Sequence, residues 1–170
     1  MREQASHLAD DYATKIRSDE TWTQLTKEHG AKKQPSKILG EELENAGIPR
    51  PTTAKHQAHH IVPDKQGHLR KYLEKYGIEG NSAANGVFLP EGYHLNWPGQ
   101  VTHSPWSNLN EKGAQMYKHG NEYIRFLKRN LNEIDMLSVS NKIKRQKILD
   151  FLEETRRDLL TGKIEFLYKD

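Results

Sequence analysis

The chain reads as a small α+β domain with few strands. Three observations lead there. Two short strand candidates, 56–63 and 87–89, are each closed by a proline. Several longer stretches repeat apolar residues at helical spacing. The order is helices, strand, short helix, strand, helices, which is not the regular alternation of a parallel α/β sheet.

Residues 5–29 have the polar composition of a helix with few large apolar positions, and "GAKKQPSK" (30–37) reads as a linker. "SKILGEELENAG" (36–47) predicts a short helix, with Ser36 as N-cap, Ile38, Leu39 and Leu43 as its apolar stripe and Gly47 as its stop. Two prolines make 48–55 extended. "HQAHHIVP" (56–63) is the first strand candidate, ended by Pro63. In "HLRKYLEKYG" (68–77), Leu69, Tyr72, Leu73 and Tyr76 share one helical face, and Gly77 ends the element. "NSAANGVFLP" (81–90) combines an Asn-Gly turn signal with Val87, Phe88 and Leu89, a short strand ended by Pro90.

Residues 91–109 form a loop rich in Pro, Trp and Asn. A helix from Asn110 to about Leu131 carries Tyr117, Ile124, Leu127 and Leu131 on one stripe. The last helix, 140–161, turns Ile148, Phe151, Leu152 and Leu159 inward and stops at Gly162. These elements suggest residues 1–35 as an N-terminal helical extension and 36–170 as the main domain, with its core at 36–132.

Bulk composition narrows the function. With 170 residues there is room for one domain with a real core. Hydrophobic content of 34% against 29% charged residues is outside the disordered class. The chain has no Cys, so disulfides and thiolate metal sites are excluded, and a transition-metal site would need His, Asp, Glu or Asn. No apolar run reaches membrane-spanning length, and "MREQASHLADDY" has no apolar core of a signal peptide. The net charge of +3 is unevenly spread. Residues 1–52 hold 8 basic against 9 acidic side chains, whereas 122–147 hold 7 (Arg125, Lys128, Arg129, Lys142, Lys144, Arg145, Lys147) against 3. Such a cluster is either a solvated helix face or a site for phosphate backbones.

The chemistry question lies in the nine histidines. His7, His29, His56 and His68 have no motif around them and read as surface or loop residues; His94 and His103 lie in the Trp/Pro-rich loop. His59 and His60 are adjacent on the first strand, so their side chains point to opposite faces. If the two strands pair as a hairpin with the His119 helix packed across it, one strand histidine and His119 could share a metal. The other would face the open side as a base, since its ordinary pKa is near neutrality. The plainer alternative is one ring buried and hydrogen-bonded, the other solvated. Asn85 could equally supply a left-handed turn residue. Tyr123 reads as a packing residue, and Trp97 and Trp106 as core or loop pins with base stacking as the other reading.

Several stretches taken together resemble a known family. They are "LGEELENAGIPRPTTAKHQAHHIVP", "LRKYLEKYGIEGNSAANGVFLP", "HGNEY" and the tail "LEETRRDLLTGKI". In this order they are similar to the AHH nucleases of the HNH/endonuclease VII (His-Me finger) superfamily, common as C-terminal domains of bacterial polymorphic toxins. The resemblance covers roughly 38–90, with a weaker continuation to about 163. It implies a ββα-metal core with a short β-hairpin surrounded by helices. It also implies a metal-dependent endonuclease acting on DNA, with an RNase or a non-catalytic binding module on the same fold as alternatives.

Carried over by position, His59 corresponds to the first-strand metal ligand and His60 to the general base. Asn85 matches the Asn that orients the base or braces the site, and His119 the helix-borne ligand. The implied cofactor is one divalent ion, Mg²⁺ first, with Mn²⁺, Ni²⁺ or Zn²⁺ as alternatives. Where the family pattern has a further His before the helix His, this chain has Ala114; His103 and Glu122 are the nearest alternative ligands. The resemblance further implies an immunity protein, expected to be acidic. It also implies secretion within a larger effector and action in the cytoplasm of a target cell.

Overall fold

A computed structural model describes Ala9, Asp10, Tyr12 and residues 20–91 and 121–164. The described elements are a 3₁₀ turn (Glu20–Thr23), α1 (Pro35–Asn45), β1 (His56–His60), α2 (Gly67–Lys75), a second 3₁₀ turn (Ala83–Asn85), β2 (Gly86–Pro90), α3 (Asn121–Asp135) and α4 (Asn141–Leu160). Among the described residues the fold is mixed α+β: four helices beside one two-stranded antiparallel sheet.

α1 begins one residue earlier than expected. Pro35 occupies its first turn, where a missing N–H costs nothing, and Gln34 rather than Ser36 is the N-cap. Gly47, Gly77 and Gly162 have φ of 82°, 70° and 73° and end α1, α2 and α4 as their positions predicted. At the first two, the next residue's N–H reaches back to a helix carbonyl, Ile48 to Leu43 (2.9 Å) and Ile78 to Leu73 (3.0 Å). α4 is capped by Ser140, whose Oγ accepts from the Ile143 N–H at 3.4 Å.

The strands pair with His56 opposite Pro90, Ala58 opposite Phe88, His59 opposite Val87 and His60 opposite Gly86. They are antiparallel, as expected, but no tight hairpin joins them. Residues 61–85, including α2, form the connection. β1 ends at His60 rather than Pro63, because the next backbone groups turn to side-chain partners described below. The Asn-Gly pair does not make a left-handed turn. No described non-glycine residue has positive φ, and Gly86 (φ −124°) is already extended at the start of β2.

A helix across 24–29 is also absent. Residues 24–29 instead run beside α1, where the buried Glu42 carboxylate accepts from the Thr26 N–H (2.8 Å) and lies 2.7 Å from His29 Nε2. That contact buries the ring of His29, which lies in a loop, one of its two expected places. His56 is buried on β1, its Nδ1 2.8 Å from the Ala54 carbonyl, and is neither the surface nor the loop histidine expected. His68 is exposed.

One hydrophobic core joins Tyr12, Trp22, Leu39, Leu43, Leu73, Phe88, Tyr123, Leu127, Leu131, Ile148, Leu152 and Leu159. Each buried leucine contributes roughly 1.5–3 kcal/mol. Phe151 is only half-buried, its ring 5.6 Å from that of Phe126 on α3. α3 runs to Asp135; the predicted 110–120 part of this helix, with Tyr117, lies outside the described residues.

Candidate active site

The pleat of β1 sets its two histidines on opposite faces. A Cβ on Gly40 of α1 would lie 3.5 Å from the Ala58 Cβ, and a Cβ on Gly86 would meet Leu39 and Leu43. The face shared by Ala58, His60 and Gly86 is therefore the one that α1 covers, and His59 points the other way. Both residues are covered, His59 at 1% and His60 at 7% exposure, so the histidine expected on the open side, His60, does not face open solvent. The His60 ring is held from the side: its Nε2 lies 3.0 Å from Asn81 Oδ1.

The three carbonyls that follow the pair are each taken by a side chain from a different element. Tyr123 of α3 donates its hydroxyl to Ile61 O (2.7 Å). Asn85 donates to Val62 O (3.0 Å), and Arg70 of α2 donates to Pro63 O (3.3 Å). Backbone groups that leave a strand need such partners when buried. Asn85, 0% exposed, also accepts from the Val62 N–H (2.8 Å) and donates to Gly80 O (2.8 Å). Its amide is thus spent on the loops flanking the histidines, and none of its hydrogen bonds goes to an imidazole.

Arg156 of α4 fixes the segment carrying Asn85. Its guanidinium is 1% exposed and donates to Ala84 O (2.6 Å) and Gly86 O (2.9 Å). Glu153 is its ion-pair partner, and it lies 5.2 Å from the centroid of the Tyr12 ring. Burial pulls the Arg156 pKa down, yet a guanidinium remains charged. Burial also pushes the Tyr12 hydroxyl up to about 12, and its oxygen accepts from the Phe88 N–H (3.1 Å).

His59, the expected first-strand ligand, is buried within the paired strands opposite Val87. Among the described residues, no group of three His, Cys, Asp or Glu side chains could hold a metal. His119 and His103 lie outside the described residues, as do Ala114, His94, Trp97 and Trp106, while Glu122 is exposed in the first turn of α3. Of the expected ligands, the described residues hold His59 and Glu122, and they do not complete a ligand set for a divalent ion.

The basic cluster divides by role. Arg125, Lys128 and Arg129 are exposed on α3, and Lys142 and Lys147 on α4. Lys144 donates to the Asp135 carbonyl, and Arg145 to Thr23 Oγ1 at 2.7 Å. Those last two hold the fold together. Sequence reasoning passed over Asn81, Arg70 and Arg156. Only Asn81 left a local signal, a polar residue between Gly80 and the 3₁₀ turn.

Among the described residues, no helix is long and apolar enough to cross a membrane. Comparisons with curated proteins and with solved structures returned no match. Residues 39–159 match AHH, described as a nuclease family of the HNH/ENDO VII superfamily with conserved AHH. That span takes in both histidines, Asn81, Asn85, Tyr123 and Arg156, and the chain belongs to this nuclease family.

Proposed function

We propose that the protein is a metal-dependent DNA endonuclease with a ββα-metal core, in which His60 is the general base. The observation that carries the reading is the fixed His60 ring, held at Nε2 by Asn81 where β1 ends. A base must hold its lone pair on one line of approach, and binding alone would not require this. In the reaction His60 takes a proton from water, whose oxygen attacks phosphorus while the bond to the 3′ oxygen breaks. Asn85 keeps the loop after His60 in place through Val62 and Gly80.

His59 and His119 would hold one divalent ion, Mg²⁺ or else Mn²⁺, Ni²⁺ or Zn²⁺, with His103 or Glu122 as third ligand. When bound, the ion stabilises negative charge on the phosphate and the departing oxygen. The basic side chains on α3 suit backbone contacts, which suffice for cleavage without base readout.

The resemblance to toxin domains supports a further reading. The nuclease would act as an antibacterial effector, exported within a larger polypeptide and working in the target cytoplasm. Because an active nuclease endangers its producer, an immunity protein is part of this proposal. An acidic one would complement the exposed Arg125, Lys128 and Arg129.

The test is plasmid nicking by wild type, His60→Ala and His59→Ala across Mg²⁺, Mn²⁺, Ni²⁺ and Zn²⁺, with EDTA and an RNA substrate alongside. His60→Ala should lose nicking and keep metal binding, and His59→Ala should lose both. Normal cleavage by His60→Ala would remove His60 as base, full activity in EDTA would remove the metal, and cleavage of RNA alone would make the protein an RNase.

A further inference from the structure

We infer that Asn81 is the positioning residue for His60: it fixes both the plane of the imidazole and the nitrogen that carries its hydrogen. The inference rests on the reading of His60 as base. Asn81 Oδ1 lies 3.0 Å from His60 Nε2. An amide oxygen only accepts, so Nε2 carries the hydrogen, and in the neutral ring the lone pair is on Nδ1. An imidazole with the same burial but free rotation would present either nitrogen.

Asn81 can serve this way because the backbone around it is tied on both sides. Gly80 O accepts from Asn85 Nδ2 at 2.8 Å. Ser82 donates to Glu79 O through both its N–H (3.0 Å) and its Oγ (2.6 Å). The Glu79 N–H in turn donates to Thr23 O at 2.8 Å. Over Gly80 lies the Arg70 side chain, so close that a Cβ there would come within 1.6 Å of Nη1. The two asparagines thus divide the work: Asn85 holds backbone, and Asn81 holds the ring.

The experiment compares Asn81→Leu, which keeps size without an acceptor, with Asn81→Asp, which keeps an acceptor at the same place. Nicking rates, KM for a DNA duplex and melting temperature are measured for both. The His60 tautomer is read from ring ¹⁵N shifts in histidine-labelled protein, with the His60 signals identified by their loss in His60→Ala.

Wild type should show the Nε2–H tautomer. Asn81→Leu should lose that preference and fall in kcat by up to about 100-fold, with KM and melting temperature near wild type. Asn81→Asp should recover both the tautomer and much of kcat. A loss confined to folding would be seen as a lower melting temperature and an unchanged tautomer, which overturns the inference. So does wild-type kcat in Asn81→Leu, or an Asn81→Asp no better than Asn81→Leu. His60→Ala in the same assay separates the two levels. If it cleaves normally, the base assignment falls and takes Asn81's role with it; if it is dead while Asn81→Leu is unimpaired, only the role of Asn81 falls.

Discussion

Arg156 grips Asn85 from both sides. Although 71 positions along the chain from it, Arg156 donates to the carbonyls of its two neighbours, Ala84 at 2.6 Å and Gly86 at 2.9 Å. Asn85 passes that constraint on through its own amide to Val62 and Gly80. A cation on the last helix thereby fixes the loop next to the histidine pair. The charge is tolerable in the interior because Glu153 and two carbonyls satisfy it.

Replacing Arg156 with Met should therefore cost far more than an average core change. It keeps much of the volume but strands two buried carbonyls and the Glu153 carboxylate. The expected loss is about 3 kcal/mol, a fall in melting temperature of about 6–12 °C for a chain of this size. An unchanged melting curve would show that the guanidinium is not holding the segment.

Asn85 offers a sharper test, because its two ends do different things. Asn85→Ala leaves Val62 N–H, Val62 O and Gly80 O without their partner and should cost about 2–3 kcal/mol. Asn85→Asp keeps the acceptor for Val62 N–H but turns a buried negative oxygen toward two carbonyls. It should be the less stable of the two in a urea titration. If Asn85→Asp matched wild type, the two donated bonds would carry no weight.

Much of this architecture was legible locally. Helix ends at Gly47, Gly77 and Gly162 follow from a left-handed residue after an apolar stripe. The Leu127 and Leu131 spacing gives the buried face of α3. What could not be read were bonds between a side chain and distant backbone. Arg156 looks like any helical arginine until Ala84 is beside it, and Glu42 looks like a solvent residue until Thr26 and His29 reach it. For the site, the strand position and opposite faces of His59 and His60 were legible, whereas their burial and the Asn81 contact were not.

Gly80 and Arg70 should behave as one unit. A methyl at Gly80 would collide with the Arg70 guanidinium, at 1.6 Å from Nη1 and 2.5 Å from Cζ. Gly80→Ala should then displace Arg70 from Pro63 O and cost about 1–2 kcal/mol. In an Arg70→Ala background the same change should cost almost nothing. Additive effects in the double-mutant cycle would mean that the two do not share space.

Acid should loosen the contact between α2 and α3 at Asp135. Its carboxyl is held below the usual carboxylate range, first by the Lys75 hydrogen bond (2.7 Å) and then by that from Tyr76. A folded value below the unfolded one means the stabilisation is complete above the unfolded value. It is lost as pH falls through the folded one. Melting temperature should thus drop more steeply below about pH 4 in wild type than in Asp135→Asn. Parallel curves for the two proteins would remove Asp135 from the acid response.

The basic residues of α3 and α4 separate by what they touch, and salt dependence should reveal it. Arg125, Lys128 and Arg129 are exposed, whereas Arg145 donates to Thr23 Oγ1 at 2.7 Å. In a His60→Ala background, duplex binding followed by anisotropy should weaken linearly in log salt. Changing the three α3 residues to Gln should lower that slope by roughly 0.9 for each phosphate that is no longer neutralised. Arg145→Gln should leave the slope alone and lower the melting temperature instead, because its partner lies within the protein. An unaltered slope in the α3 triple variant would place the nucleic-acid track on another face.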